Sequence, residues 1–441
     1  MVINSILNKI QQLLKPVYDN SFILQKIDLL IGISIFAVIF SSVSALSDTI
    51  GCFGLFAVIL TVIKLLTKSG EKFEPNTADK FLLLYFIIVI ISVAGSSLFA
   101  LSIKGFLKTA TYLAFYISVV NFLKDNKNCI KWIFAAFVLC SCYETFFAFL
   151  QNFGAVEEIS GWQDMSHLNP EEVMTRVYGT LKPYNPNLFG GYMLSIIPAF
   201  ITLPFAFEKK FLLGRYAQPT LLACTLLFGI LSVVALFLTG CRGAYIGLFF
   251  MILIFVCIVY KLLEPKLQKF FAMLIGFCAL AVSFVIVSIS SLRTRIFSIF
   301  AMRSDSSNSF RFNVYHSCIQ MFKDNWLLGI GCGNQNFREV YGLYMKTGFD
   351  ALSAYNIYLE TAVESGIFAL VSFVCFLGIN IYNSVKFIFS TKNIDAVFVF
   401  AALLSIIGML THGIVDTVFF RPQIQFTFWI MVGIIRVLVK G

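Results

Sequence analysis

An all-α polytopic membrane protein with about twelve transmembrane helices, and one large helical outer loop between spans nine and ten, is the fold that the sequence predicts. Three observations lead there. The chain of 441 residues is 59% hydrophobic and only 13% charged, with a mean hydropathy of +0.87, where a soluble domain carries about a quarter charged residues. That much apolar surface needs lipid as its solvent, and the apolar residues gather in runs near the roughly 20 residues that a span requires. Fifty phenylalanines and seventeen tyrosines suit lipid-facing helices with interfacial aromatics.

Residues 1–20 do not read as a cleavable signal peptide, because no apolar core follows a basic start. Ile3, Ile6, Leu7, Ile10, Leu13, Leu14 and Val17 recur at helical spacing against Asn4, Asn8, Lys9, Gln12 and Lys15, which predicts an amphipathic helix lying on the membrane surface. Spans are then expected at about 29–46, 50–66, 81–101, 109–123, 131–152, 187–206, 219–239, 244–261, 268–290, 355–380, 394–412 and 422–439. The chain thus divides into an interfacial helix (1–20), spans one to nine (21–290), a large outer loop (291–354) and spans ten to twelve (355–441). No internal repeat or low-complexity stretch interrupts this order.

Lysine and arginine set the expected orientation. Lys68, Lys72 and Lys80, then Lys124, Lys127 and Lys131, then Lys209, Lys210 and Arg215, then Lys261, Lys266 and Lys269, then Lys386 and Lys392, and finally Arg436 and Lys440 mark one set of short loops. The alternate loops are poorer, with Lys104 and Lys108 as the exception. Both termini are therefore expected in the cytoplasm, with 156–186, the Arg242 turn, 291–354 and 416–421 outside. Residues 156–186 carry net −3, through Glu157, Glu158, Asp164, Glu171 and Glu172, whereas 291–354 carry net +3. Long translocated loops escape the positive-inside bias, so a basic outer loop points to an anionic partner. The overall charge of +10 follows from this loop bias and gives no reason to expect nucleic acid. The eleven cysteines show neither Cys-x-x-Cys pairs nor metal-ligand spacing and read as small hydrophobes in helices; Cys318 and Cys332 could pair only in an oxidising compartment.

Arg242 sits in a tight turn, Thr239-Gly-Cys-Arg-Gly-Ala-Tyr. A guanidinium stays charged and presents a planar fork that suits phosphate oxygens; the bland reading is an arginine snorkelling to headgroups. In the outer loop, Ser309 is expected to open a helix in which Phe312, Tyr315, Ile319 and Phe322 share a face, with Arg311 and Tyr315 one turn apart. The run Trp326-Leu-Leu-Gly-Ile-Gly-Cys-Gly breaks that helix, and Asn334 is expected to cap another running to about Met345 and carrying Arg338. A glycine-rich turn before a helix can offer N–H groups to phosphate, or can be only a turn. Asn356, Glu360 and Glu364 follow at four-residue intervals at the start of span ten and line one stripe. Carboxylates at membrane depth face a wet cavity or a partner, so these two serve either chemistry or charge balance for the loop arginines. Glu144, His412 and Asp416, each taken alone, read as structural.

Three stretches together resemble the O-antigen ligase and O-antigen polymerase superfamily of membrane glycosyltransferases. They are the Arg242 turn, the run from Phe310-Arg-Phe-Asn-Val-Tyr-His through Trp326 to Asn334, and Tyr355-Asn-Ile-Tyr-Leu-Glu-Thr-Ala-Val-Glu-Ser-Gly. Thr175-Arg-Val-Tyr-Gly-Thr-Leu-Lys-Pro-Tyr-Asn-Pro-Asn also looks like the family's element ahead of the next span. The resemblance implies a GT-C-like multi-pass protein of a bacterial inner membrane. It would move a glycan from an undecaprenyl-diphosphate carrier to the hydroxyl of a glycolipid or polysaccharide acceptor, with inversion and without metal or other cofactor. On this resemblance Arg242 and Arg311, with Arg176 and Arg338, would hold the diphosphate. Glu364, His316, Tyr355 and Glu360 are the catalytic candidates, and Asn356 and Tyr315 would orient the acceptor. One departure stands out: ligases typically carry His-Asn where this chain has Tyr355-Asn356. A tyrosine titrates near ~10 and is a poor base at neutral pH, so a carboxylate or His316 takes over, or Tyr355 only orients the acceptor. A Tyr-Asn form is also similar to a branch of the superfamily named as bicarbonate transporters, which leaves a small-anion transporter, or a non-catalytic glycolipid-binding relative, as the alternatives.

Overall fold

The computed structural model describes residues 2–72, 74–154, 176–207 and 217–439. The acidic residues Glu157, Glu158, Asp164, Glu171 and Glu172, and the basic Lys209, Lys210, Arg215 and Lys440, lie outside them. Everything described is helix or connection, with no strand among the described residues.

A surface helix α1 (Val2–Asn20) precedes the spans. Among the described residues, ten helices are long and apolar enough to cross a bilayer. They are α3 (Ser47–Thr67), α4 (Thr77–Ala94), α5 (Phe99–Asp125), α6 (Cys129–Asn152), α7 (Pro186–Ala206), α8 (Ala217–Leu238), α9 (Arg242–Leu262), α10 (Pro265–Ser288), α14 (Ile357–Ser390) and α15 (Ile394–His412). Two shorter apolar helices, α2 (Ile27–Ser41) and α16 (Pro422–Leu438), complete the twelve expected positions. Between α10 and α14 the chain forms α11 (Ser290–Phe297), α12 (Ser306–Asp324) and α13 (Asn334–Tyr341).

The helices α7, α15 and α16 are largely buried and form the middle of the bundle. In contrast, α10 buries none of its residues and leans mainly on α9 and α11. Close approach of α9 to α15 rests on two glycines. A Cβ on Gly243 would meet the His412 ring at 2.6 Å, and one on Gly247 would meet the Gly408 carbonyl at 3.0 Å. In lipid, where association depends on packing rather than on the hydrophobic effect, such small-residue contacts hold helices together.

Three expectations change. The fourth span runs from Phe99 to Asp125, not 109–123, so Lys104 and Lys108 are exposed residues of a helix rather than of a loop. Gly105 does not break α5; its missing Cβ lets the helix touch the backbone of Gly333 in the central loop, at 2.6 Å from where a Cβ would stand. The loop helix starts at Ser306, three residues early, because Asp305 accepts from Asn308 N–H at 2.8 Å as its N-cap. Its core face is Val314, Cys318 and Met321, whereas Phe312 and Ile319 stay exposed. The following helix ends at Tyr341, with Gly333 rather than Asn334 as its N-cap. All eleven cysteines, Cys318 and Cys332 included, are free thiols.

At the end of the bundle opposite this loop, Lys64 is fully buried among carboxylates. It meets Asp28 at 2.6 Å, Asp125 at 3.1 Å and Glu71 at 3.5 Å, and Lys68 reaches the same three. Gln11 of α1 donates to the carbonyls of Leu65 and Glu71, which ties the surface helix to this network, while Ile6, Leu13 and Val17 of α1 remain exposed.

Candidate functional site

At the loop end, a cavity of about 250 Å³ opens where six segments meet. Each contributes at least one polar side chain. Arg176 comes from the strand of chain leading into α7, and Asn187 from the first turn of α7. Arg242 is the first residue of α9, Arg295 lies on α11, Arg311 and Tyr315 are one turn apart on α12, and Asp416 sits in the turn after α15. The spacing of Arg311 and Tyr315 puts both on the cavity side of their helix, as successive turns dictate.

Every guanidinium is held by part of its fork. Arg176 donates through Nε to Thr239 O at 2.8 Å and through Nη2 to Asn187 Oδ1 at 2.6 Å. Arg242, 8% exposed, pairs with Asp305 at 2.9 Å and donates to Ser298 O and Oγ at 3.2 and 3.1 Å. Arg295 donates through Nε to Gly240 O at 2.7 Å, its side chain thereby fixed to the turn that carries Arg242. Arg311 donates to Ser307 Oγ at 2.7 Å, approaches Asp416 at 3.5 Å and lies over the Tyr355 ring at 5.7 Å. Its Nε, although buried, has no hydrogen-bond partner among the described residues.

Four guanidinium groups thus crowd against two carboxylates, Asp305 and Asp416. Burial lowers the pKa of both Arg176 and Arg295, and the mutual repulsion of the cations lowers it further. Such an excess of cationic donors, in a site with apolar walls at Ile246, Ile299 and Val415, favours a multiply charged anion, because low-dielectric surroundings strengthen each charge-assisted bond. Asp416 is oriented by the N–H groups of Thr417 and Val418 at Oδ1 and by Asn187 Nδ2 at Oδ2. At the cavity's base, Cys241 Sγ lies 3.6 Å from His412 Nε2.

Of the residues singled out in the sequence, Arg176, Arg242, Arg311 and Tyr315 line this cavity. Tyr315 donates to Tyr355 O at 3.1 Å, and burial pushes its pKa up to about 12. Tyr355, in the left-handed region at φ 51°, stands behind Arg311 rather than on the cavity wall. Asn356 caps α14, accepting from Tyr358 and Leu359 N–H. The remaining four lie elsewhere. His316 is exposed on α12, and Arg338 is an exposed residue paired with Asp350 at 2.7 Å. Glu360 is buried and accepts from Ala354 N–H at 3.2 Å. Glu364 accepts from Gly333 N–H at 2.8 Å.

That last bond decides between the two readings of the glycine-rich turn, against the phosphate cradle. Ile330 and Gly331 donate to the carbonyls of Val363 and Glu364, and Gly333 donates to the Glu364 carboxylate, so the first N–H at the mouth of α13 already has an anion. The turn is a joint between loop and span. Sequence reasoning passed over Arg295 and read Asp416 as structural. Arg295 belongs to the same basic run as Arg293 and Arg303, and spacing does not distinguish the one that turns inward. Arg293 instead donates to Val287 O, and Arg303 lies over Phe312.

Below the cavity, an apolar cleft of about 1150 Å³ runs between α7, α8, α9 and α10. Its walls include Phe200, Leu226, Val233, Met251, Val282 and Ile289. Helix α11 borders both spaces, with Ser291 and Leu292 on the cleft and Arg295 on the cationic cavity one turn later.

Fold and site together define a polytopic all-α membrane protein with an arginine-lined cavity at one end of its bundle. Residues 227–374 match the family model described as O-antigen ligase, which places this part of the chain in the O-antigen ligase and polymerase superfamily. The matched stretch holds Arg242, Arg295 and Arg311; Arg176 and Asp416 come from outside it. No curated protein matches the chain.

Proposed function

We propose that this protein is a glycosyltransferase of the bacterial inner membrane, with both termini in the cytoplasm and the arginine cavity on the outer side. It moves a glycan from an undecaprenyl-diphosphate carrier to the hydroxyl of a glycolipid or growing polysaccharide. The observation that carries this reading is the meeting of four arginines in one cavity beside a lipid-sized apolar cleft. The diphosphate binds among Arg176, Arg242, Arg295 and Arg311, and the polyprenyl tail lies in the cleft.

The acceptor oxygen attacks the anomeric carbon from the face opposite the diphosphate. The carbon–oxygen bond to the carrier breaks, the electron pair leaves with the polyprenyl diphosphate, and the configuration inverts. The leaving group is already activated, so positioning and charge stabilisation supply most of the acceleration, and the guanidinium groups perform the neutralisation without a metal. Asp416, the carboxylate on the cavity wall, receives the acceptor's proton. Glu360 and Glu364 hold backbone N–H groups away from the cavity and have no part in this scheme.

Deleting the gene is expected to remove a surface glycan and to accumulate its lipid-linked precursor. Complementation with Arg242→Ala, Arg295→Ala or Arg311→Ala, at normal protein level, is expected to leave transfer at least a hundredfold down, since each removes charge-assisted bonds that are strengthened in the transition state (~3 kcal/mol). Full transfer in all three variants would remove the arginine cavity from the reaction. Unchanged glycans with impaired inorganic-carbon uptake would replace the enzyme by a transporter.

A further inference from the structure

Two buried polar side chains on α6 have no part in the scheme above. Glu144 and Gln151 are two turns apart on one face of the helix, 0% and 9% exposed. Neither reaches the cavity. Both grip the same short stretch of chain. Gln151 Oε1 accepts from Tyr178 N–H and Gly179 N–H, each at 2.9 Å, and its Nε2 donates to Gly179 O at 2.8 Å. Glu144 accepts from Thr180 N–H at 2.8 Å and from the Thr180 hydroxyl at 2.5 Å. Gly179 adopts φ 61°, and a Cβ there would overlap the Glu144 carboxylate and the Phe189 ring. Only glycine lets the chain settle this closely on α6.

The gripped residues directly follow Arg176. Val177 N–H also donates to Leu238 O at 3.2 Å, so the backbone that follows Arg176 is held between α6 and α8. Placing a carboxylate within a membrane span is costly unless its oxygens are satisfied. Here that cost falls on one segment, the one presenting a guanidinium to the anion. We infer that Gln151, assisted by Glu144, is a positioning residue that holds Arg176 in place for the diphosphate, a role that rests on the proposed function.

Purified full-length protein in lipid nanodiscs, titrated with polyprenyl diphosphate, tests this. Arg176→Ala is expected to weaken binding about tenfold, and Gln151→Ala by a similar factor. Because Gln151 acts through Arg176, the double variant is expected to bind no worse than Arg176→Ala alone, whereas independent contributions would multiply. Glu144→Gln, which keeps an acceptor for Thr180 N–H, is the milder companion should Gln151→Ala fail to fold, with roughly a threefold loss expected. Multiplying losses in the double variant, or wild-type affinity in Gln151→Ala or in Glu144→Gln, would overturn the inference alone. A wild-type protein that ignores polyprenyl diphosphate would overturn the proposed function and this inference with it.

Discussion

Tyr355 stands where the resemblance to O-antigen ligases would lead one to expect a histidine, and its surroundings decide what it can do. Its ring lies under the Arg311 guanidinium at 5.7 Å and meets Phe310 edge-on at 5.6 Å. Burial, reinforced by Asp416, raises the pKa of its hydroxyl, so it keeps its proton at neutral pH. The residue therefore supports an arginine through its π face. Tyr355→Phe is expected to retain transfer within about threefold, while Tyr355→Ala loses about tenfold with the cation–π contact. Glycan transfer in complemented cells, normalised to protein level, measures both; loss of transfer in Tyr355→Phe would assign the hydroxyl a direct part. The sequence set a tyrosine where the resemblance implies a histidine base and left open which residue takes the proton, and composition could go no further. Arg176, Arg242 and Arg311 were legible because each stands in a recognisable motif. Arg295 was not, because its inward turn depends on the bond to Gly240 O, a contact between segments 55 residues apart.

At the scale of elements, the joint between the central loop and α14 is the most constrained piece of backbone. Gly329, Gly331 and Gly333 all take positive φ, at 71°, 98° and 108°. Beyond that conformational demand, a Cβ on Gly331 would stand 2.6 Å from Ser96 Oγ. Gly331→Ala is expected to lose roughly 1–3 kcal/mol from backbone strain alone, seen as a lower melting temperature in detergent; an unchanged melt would mean the joint is looser than its dihedral angles imply. The glycine spacing was visible in the sequence, but its purpose was not. Whether N–H groups face a ligand or a carboxylate depends on where Glu364 is carried, and Glu364 belongs to a helix 31 residues further on. The existence and order of the apolar helices, by contrast, were readable, since the length and composition of a span are set by the bilayer itself, although the third ends at Ala94 rather than at 101 and the tenth runs on to Ser390. The fourth looked short because Lys104 and Lys108 dilute its apolar character on an exposed face.

Over the whole molecule, charge is segregated to the two ends of the bundle. Opposite the arginine cavity, Lys64 joins α2, α3 and α5 through Asp28, Glu71 and Asp125. Breaking a buried ion pair leaves its partners uncompensated and costs about 3–5 kcal/mol. With Asp125 41% exposed and Lys68 still present, Lys64→Ala is expected near the lower end, about 3 kcal/mol, read from thermal unfolding in nanodiscs. A melt identical to wild type would make the network a bystander. Lys64 escaped sequence reading because it lies within an apolar run and looked like the end of a span.

The apolar cleft beside α10 has a bearing on selectivity. In a bilayer it is filled by one hydrocarbon or another, so replacing a phospholipid tail with a longer isoprenoid gains little free energy. Recognition of a lipid guest therefore falls to its polar head, and variants of the cleft wall should be tolerated far better than variants of the arginines above it.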